Sequence, residues 1–203
     1  MANSANSYGT VSRSLHWIIA ALIVVQYITA PVQQILAPES QIPAPFGMDK
    51  SSLLPLHQSL GMTVLMLMVL RLLWRRRSPV PALPEDMKPL QRRLAKVSHV
   101  AFYVILLAMP VSGWLMASAK DTGATWFGLW NWPNPSPKSD DLFEAMHATH
   151  ETLKVMLFFL ALLHIAAALK HQFWNKDGVL VRMLPFGGSG AARPQAARKP
   201  AGE

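Results

Sequence analysis

His150 and His164 stand fourteen residues apart in one apolar stretch near the end of this 203-residue chain. On an α-helix that gap turns about 1400°, about 40° short of four full turns, so both imidazoles leave one face with about 21 Å of rise between them. Histidine is costly in hydrocarbon, and an ionisable residue inside a membrane span marks a functional site by default. One helix would therefore carry one ligand near each side of a bilayer.

The elements that must position such ligands are legible from composition. The chain is 51% hydrophobic and only 15% charged, sparse for a soluble domain and consistent with a surface that faces lipid. Residues 14–38, 51–70 and 97–119 contain no Asp, Glu, Lys or Arg, and neither does 155–169, which extends back through Lys154 and Glu151 to His150. The first three are long enough for a core of about 30 Å; the fourth spans if its polar groups face protein. The expected fold is all-α, an integral-membrane four-helix transmembrane bundle. Its spans are expected at about 14–38, 51–74, 97–119 and 145–173, in one domain over residues 1–186. Residues 187–203, rich in Gly, Ala, Pro and Arg, read as a disordered cytoplasmic tail. The first span is too long for a signal peptide and carries His16 and Trp17, so it reads as retained. Pro31 is expected to bend or end it, while Pro110 and Gly113 suggest a kink and close helix packing in the third.

The chain has no cysteine, which excludes iron–sulfur clusters, thiolate or covalently attached haem, and disulfides. Its net charge of +8 is unevenly spread. With the N-terminus inside, fifteen of nineteen basic residues fall on the cytoplasmic side, leaving Lys50, Lys120, Lys138 and Lys154 toward the other. The positive-inside rule then places both termini in the cytoplasm. Topology and attraction to anionic lipid account for the basic excess, and no nucleic acid is needed as a partner. Trp126, Phe127, Trp130 and Trp132, between the last two spans, read as an aromatic belt at the outer interface.

Matching histidines by depth produces two sets, His16 with His164 inside and His57 with His150 outside. Two bis-histidine haem sites stacked across the membrane are the natural construction, because bundle cores build cofactor sites from side chains on facing helices. His147 lies seventeen residues from His164, about 100° off its face. His99, at the mouth of the third span, reads as a surface residue or a neighbour of a ligand. Arg71 follows His57 by the same fourteen residues and points toward the inner site, as a propionate partner or as a positive-inside anchor. Lys154, one turn after His150, would serve the outer haem or snorkel to the surface. Gly61, one turn after His57, offers either a surface for a macrocycle or ordinary helix packing. His171, near the face of His164 at the cytoplasmic boundary, suits a haem propionate, a quinone headgroup or a plain interfacial role.

At these residues the chain resembles the prokaryotic cytochrome b561 family over nearly all of residues 8–186. The matching strings are Ser14-Leu15-His16-Trp17, then Leu56-His57 with Gly61 and Arg71, then His150-Glu151-Thr152-Leu153, and finally Leu163-His164 with His171 and Phe173-Trp174. The resemblance implies a multi-pass bacterial inner-membrane protein with two non-covalent b haems ligated by His16, His57, His150 and His164. It also implies electron exchange with ubiquinone. The best-understood activity in the family is oxidation of superoxide at the periplasmic haem, with ubiquinone reduced on the cytoplasmic side. The outer loops carry Lys50, Lys120 and Lys138 against Glu39, Asp49, Asp121, Asp140, Asp141 and Glu144, a balance that does not by itself steer an anion. The alternative function is a membrane-anchor subunit passing electrons between quinone and a larger redox partner.

Overall fold

The computed structural model describes residues 3, 7–35, 50–84 and 87–184, with side-chain surroundings left undescribed at 30–35 and 50–52. It contains four long helices, α1 (Thr10–Ile35), α2 (Lys50–Arg77), α3 (Pro89–Ala119) and α4 (Asp140–Lys170). Each is long and apolar enough to cross a membrane, over Thr10–Thr29, Leu53–Arg77, Pro89–Ala119 and Asp140–Asn175. In lipid every backbone N–H and C=O must be satisfied within its own segment, which is why the apolar runs are helical. Large apolar side chains such as Val97, Val104, Phe159 and Leu163 face outward, as they would toward acyl chains.

The helix ends depart from expectation where local chemistry overrides hydropathy. α3 begins eight residues before the apolar run because Pro89 starts it, its missing N–H costing nothing in a first turn. α4 begins at Asp140 rather than 145: Ser139 caps it by accepting Leu142 N–H at 3.2 Å, and Asp140 and Asp141 complement the helix dipole. α1 runs four residues beyond Pro31 instead of ending there, and α3 continues through Pro110. The expected end of the first span at 38 and the tail 187–203 lie outside the described residues.

The loop between α3 and α4 is more ordered than an aromatic belt requires. It forms an antiparallel hairpin of β1 (Ala124–Trp126) and β2 (Trp130–Trp132), pairing Ala124 with Trp132, Thr125 with Asn131 and Trp126 with Trp130. Leu129 N–H closes the turn on Trp126 O at 3.0 Å, with Phe127 at φ 52° and Gly128 at φ 70°. Positive φ at both central positions matches the right-handed twist of a hairpin; glycine adopts it freely, whereas Phe127 must be held there. The holding contacts come from α2, where buried Ser59 Oγ accepts Phe127 N–H at 2.8 Å and Thr63 Oγ1 accepts Trp126 Nε1–H at 3.0 Å.

α1 packs closely on α2, α2 on α3 and α3 on α4, while α4 approaches α1 and α2 at few backbone points. The bundle is thus closed on three sides and looser where α4 faces α1 and α2. Midway along it lies a buried apolar layer of Ile19, Val64, Met68, Ile105, Leu106 and Leu157. Leu157, seven residues from each of His150 and His164, is 2% exposed. The first two turns of α1 and the residues after α4 meet at one end of the bundle: Arg13 Nη1 donates to Leu184 O at 3.1 Å and Trp17 Nε1 to Met183 O at 2.7 Å. The arginines Arg75, Arg76 and Arg77 end α2 at this basic end, opposite the hairpin end.

Candidate functional site

At the hairpin end α2 presents His57 and α4 presents His150, their ring centroids 6.2 Å apart at 66°. His150 Nδ1 lies 3.1 Å from Met109 O and 3.0 Å from Ser112 Oγ, both on α3. A carbonyl only accepts, so the ring proton sits on Nδ1 and the Nε2 lone pair is free. Gly113 leaves room beside this ring: a Cβ there would lie 3.5 Å from His150 Cε1. Among the described residues His57 Nδ1 is buried without a hydrogen-bond partner, a costly state for a ring nitrogen unless a ligand completes the site.

At the basic end His16 of α1 and His164 of α4 stand 6.3 Å apart at 62°. Arg71 Nη1 donates to His16 Nδ1 at 3.2 Å, so the equal spacing of Arg71 from His57 and of His164 from His150 does bring Arg71 to this level. His99 lies 6.0 Å from His164, and Phe102 packs edge-on against it at 5.2 Å. The structure places His99 beside His164 and partly buried, because the early start of α3 carries this residue well inside the helix. Nearby Tyr8 is partly buried, which raises its phenol pKa against the opposing pull of Arg75 and Arg71.

Two imidazoles on opposite faces of one metal, each bonded at about 2 Å with its ring centre about 1 Å further out, have centroids about 6 Å apart. Both depth-matched pairs meet this test, and so does His99 with His164. Packing separates them. The two depth-matched pairs reach across the looser face between α4 and the α1–α2 pair, whereas His99 and His164 sit on helices whose backbones are closely packed. A macrocycle has width that a bare ion lacks, which favours the pairs that reach across the looser face. Among the described residues no three His, Cys, Asp or Glu side chains converge as a metal site would require. Pairs of imidazoles suit instead an iron whose remaining four ligands come from a porphyrin.

The other expected residues resolve as follows. Gly61 faces Gln26, whose Nε2 would lie 3.3 Å from an added Cβ and itself donates to His57 O at 3.0 Å. Gly61 thus packs against Gln26, an amide in an apolar span that links α1 to the backbone of His57. Lys154 neither reaches a histidine nor stands alone, being ion-paired with Glu151 one turn back. His147 is exposed and stacks on Phe143 at 5.8 Å. His171 opens a π-helical turn, His171–Asn175, where its Nδ1 meets the Asp177 carboxylate and Asn175 Nδ2.

The family model described as prokaryotic cytochrome b561 matches residues 7–186. "Cytochrome b561 homolog 2" of Escherichia coli (strain K12) is 29% identical over 184 residues, covering 90% of this chain and 93% of that protein. "Probable superoxide oxidase CybB" of Yersinia pestis is 29% identical over 184 residues, covering 88% of this chain and 96% of its own length. "Cytochrome b561 homolog 1" of Escherichia coli (strain K12) is 29% identical over 129 residues, 64% of this chain and 73% of that relative.

Proposed function

The chain belongs to the prokaryotic cytochrome b561 family, a family of multi-pass bacterial membrane electron-transfer proteins that bind b-type haem, and on that premise we propose that it is a two-haem superoxide:ubiquinone oxidoreductase. His57 and His150 would hold one haem at the hairpin end, His16 and His164 the other at the basic end. The observation that carries this reading is the pair of matching imidazole separations, 6.2 and 6.3 Å, across the looser face of the bundle.

Bound haem supplies a one-electron couple at each level. The protein's own residues supply placement. α3 orients His150 through Met109 O, and Arg71 brings a positive charge to the basic end, where it would pair with a propionate. The buried apolar layer between the levels keeps water from the interior. The positive-inside rule puts the basic end in the cytoplasm and the hairpin end on the opposite side of the inner membrane. Superoxide is the electron donor we favour because a relative of near-equal length is named a probable superoxide oxidase. Two superoxide ions each lose one electron to become dioxygen, and one ubiquinone gains two electrons and two protons to become ubiquinol. His171, held by Asp177 at the basic end, is the group we place nearest the quinone headgroup.

The test is anaerobic pulsing of superoxide onto haem-loaded protein in ubiquinone-containing liposomes, with quinol measured. Quinol above the spontaneous rate, absent in His57→Ala, is expected. None above that rate would refute the superoxide step while leaving haem binding to be judged by its spectrum.

A further inference from the structure

α3 contributes to neither depth-matched pair, yet it touches the α4 member of both. Around His150 it offers oxygen: Met109 O at 3.1 Å and Ser112 Oγ at 3.0 Å, the serine's own proton going to the same carbonyl at 2.7 Å. The Nδ1 proton of His150 is therefore shared between two acceptors. Around His164 it offers only ring edges, those of His99 and Phe102. The partner of His164, His16, receives an N–H from the Arg71 guanidinium at 3.2 Å. At the hairpin end His150 leans on oxygen lone pairs, and at the basic end His16 faces a guanidinium.

These surroundings act on a bound iron in opposite directions. Donation of Nδ1–H to an acceptor makes the ligand more basic; a more basic ligand favours ferric iron and lowers the potential. A nearby cation repels the ferric state, which carries one more positive charge than the ferrous, and so raises the potential. Once His16 binds iron through Nε2 its Nδ1 carries the proton, so Arg71 can no longer donate to it. The guanidinium nonetheless brings its charge to this level, because Arg71 is anchored on α2. The charged side chains beside His150, Glu151 next to it and Lys154 one turn on, offset each other as an ion pair.

Resting on the bis-histidine sites proposed above, we infer that Met109 and Ser112 hold the hairpin-end haem at a lower potential than the basic-end haem, which Arg71 raises. An electron that enters at the hairpin end then runs downhill to the basic end. The asymmetry is built from residues that ligate nothing.

The experiment is a potentiometric titration of the haem-loaded full chain followed in the visible absorption of the haems, with His164→Ala and His150→Ala used to assign the components. The component that survives in His164→Ala should titrate at the lower potential. Ser112→Ala should raise that component alone, and Arg71→Gln should lower the other alone. Each shift should be threefold to tenfold in the ferric-to-ferrous ratio, tenfold being about 59 mV for a one-electron couple. Arg71→Lys, which keeps the charge, should recover most of its shift. Equal or reversed potentials, or both components moving together, overturn the inference. If a single-histidine variant loses both haems, Ser112→Ala and Arg71→Gln in the otherwise intact chain still decide: one component must rise and the other fall, and two unmoved components overturn the inference. Failure of the site reading looks different, because both haems would then survive His164→Ala and His150→Ala.

Discussion

The hydroxyl of Tyr27 on α1 donates to the carbonyl oxygen of Lys154 on α4 across 2.6 Å, and its ring lies 6.1 Å from Phe158. This contact bridges α1 and α4 on the loosely packed face and lies between the two histidine levels. A hydrogen bond of this kind contributes about 1 kcal/mol. Tyr27→Phe should lower the thermal midpoint of the haem-loaded protein in detergent by that increment while leaving its absorption spectrum intact. An unchanged midpoint would show that the bridge is dispensable.

The four-histidine assignment predicts selective losses. His164→Ala and His16→Ala should each remove the basic-end haem and keep much of the other, and His150→Ala and His57→Ala should do the reverse. His99→Ala should retain both haems, because His99 faces His164 from α3, the helix packed closely against α4, and not across the looser face. Haem-to-protein ratios by pyridine haemochrome distinguish these outcomes; loss of one haem in His99→Ala would reassign the basic-end ligand.

Gly113 supports His150 by leaving space. An added Cβ meets the ring at 3.5 Å, an ordinary contact, so Gly113→Ala should bind haem as the parent does. Gly113→Leu adds branches that must displace the imidazole and should lose the hairpin-end haem. Equal haem content in the two variants would place the macrocycle away from this surface.

Ser59 ties the hairpin to α2. It is 1% exposed, and it holds Phe127 N–H while Phe127 sits at positive φ. Ser59→Ala leaves that N–H unpaired at a cost of about 1–3 kcal/mol. Faster protease cleavage between Gly123 and Trp132 is the expected outcome, with the helices resistant; unchanged cleavage would mean that Thr63 and Trp126 suffice.

The Lys154–Glu151 pair is partly buried in an apolar span, at 31% and 39% side-chain exposure. Removing one partner strands a charge there, whereas removing both does not. Lys154→Met should therefore destabilise more than Lys154→Met combined with Glu151→Gln, as read from thermal midpoints in a double-mutant cycle. Additive effects would show that each charge is independently solvated.

Much of the architecture follows from properties that are local along the chain. Charge-free runs demand helices in lipid, and helical periodicity alone puts His150 and His164 on one face and Arg71 at the level opposite His57. Local chemistry also sets where α3 and α4 begin, through Pro89 and the Ser139-Asp140-Asp141 cap, although hydropathy obscured both signals. The hairpin was hidden because three-residue strands carry too short an alternation to stand out among tryptophans and prolines.

Tertiary structure alone decided who stands opposite whom. By depth His16 and His99 both lie near His164, at 6.3 and 6.0 Å; the difference is that one faces it across the looser side of the bundle and the other from a closely packed neighbour. That Gln26 lies against Gly61 and that Lys154 pairs with Glu151 are likewise properties of the packed bundle. Spacing within a helix is a property of its own backbone, so the sequence determines it. The width of the gap that a side chain looks into depends on how other helices pack, and no single segment encodes that.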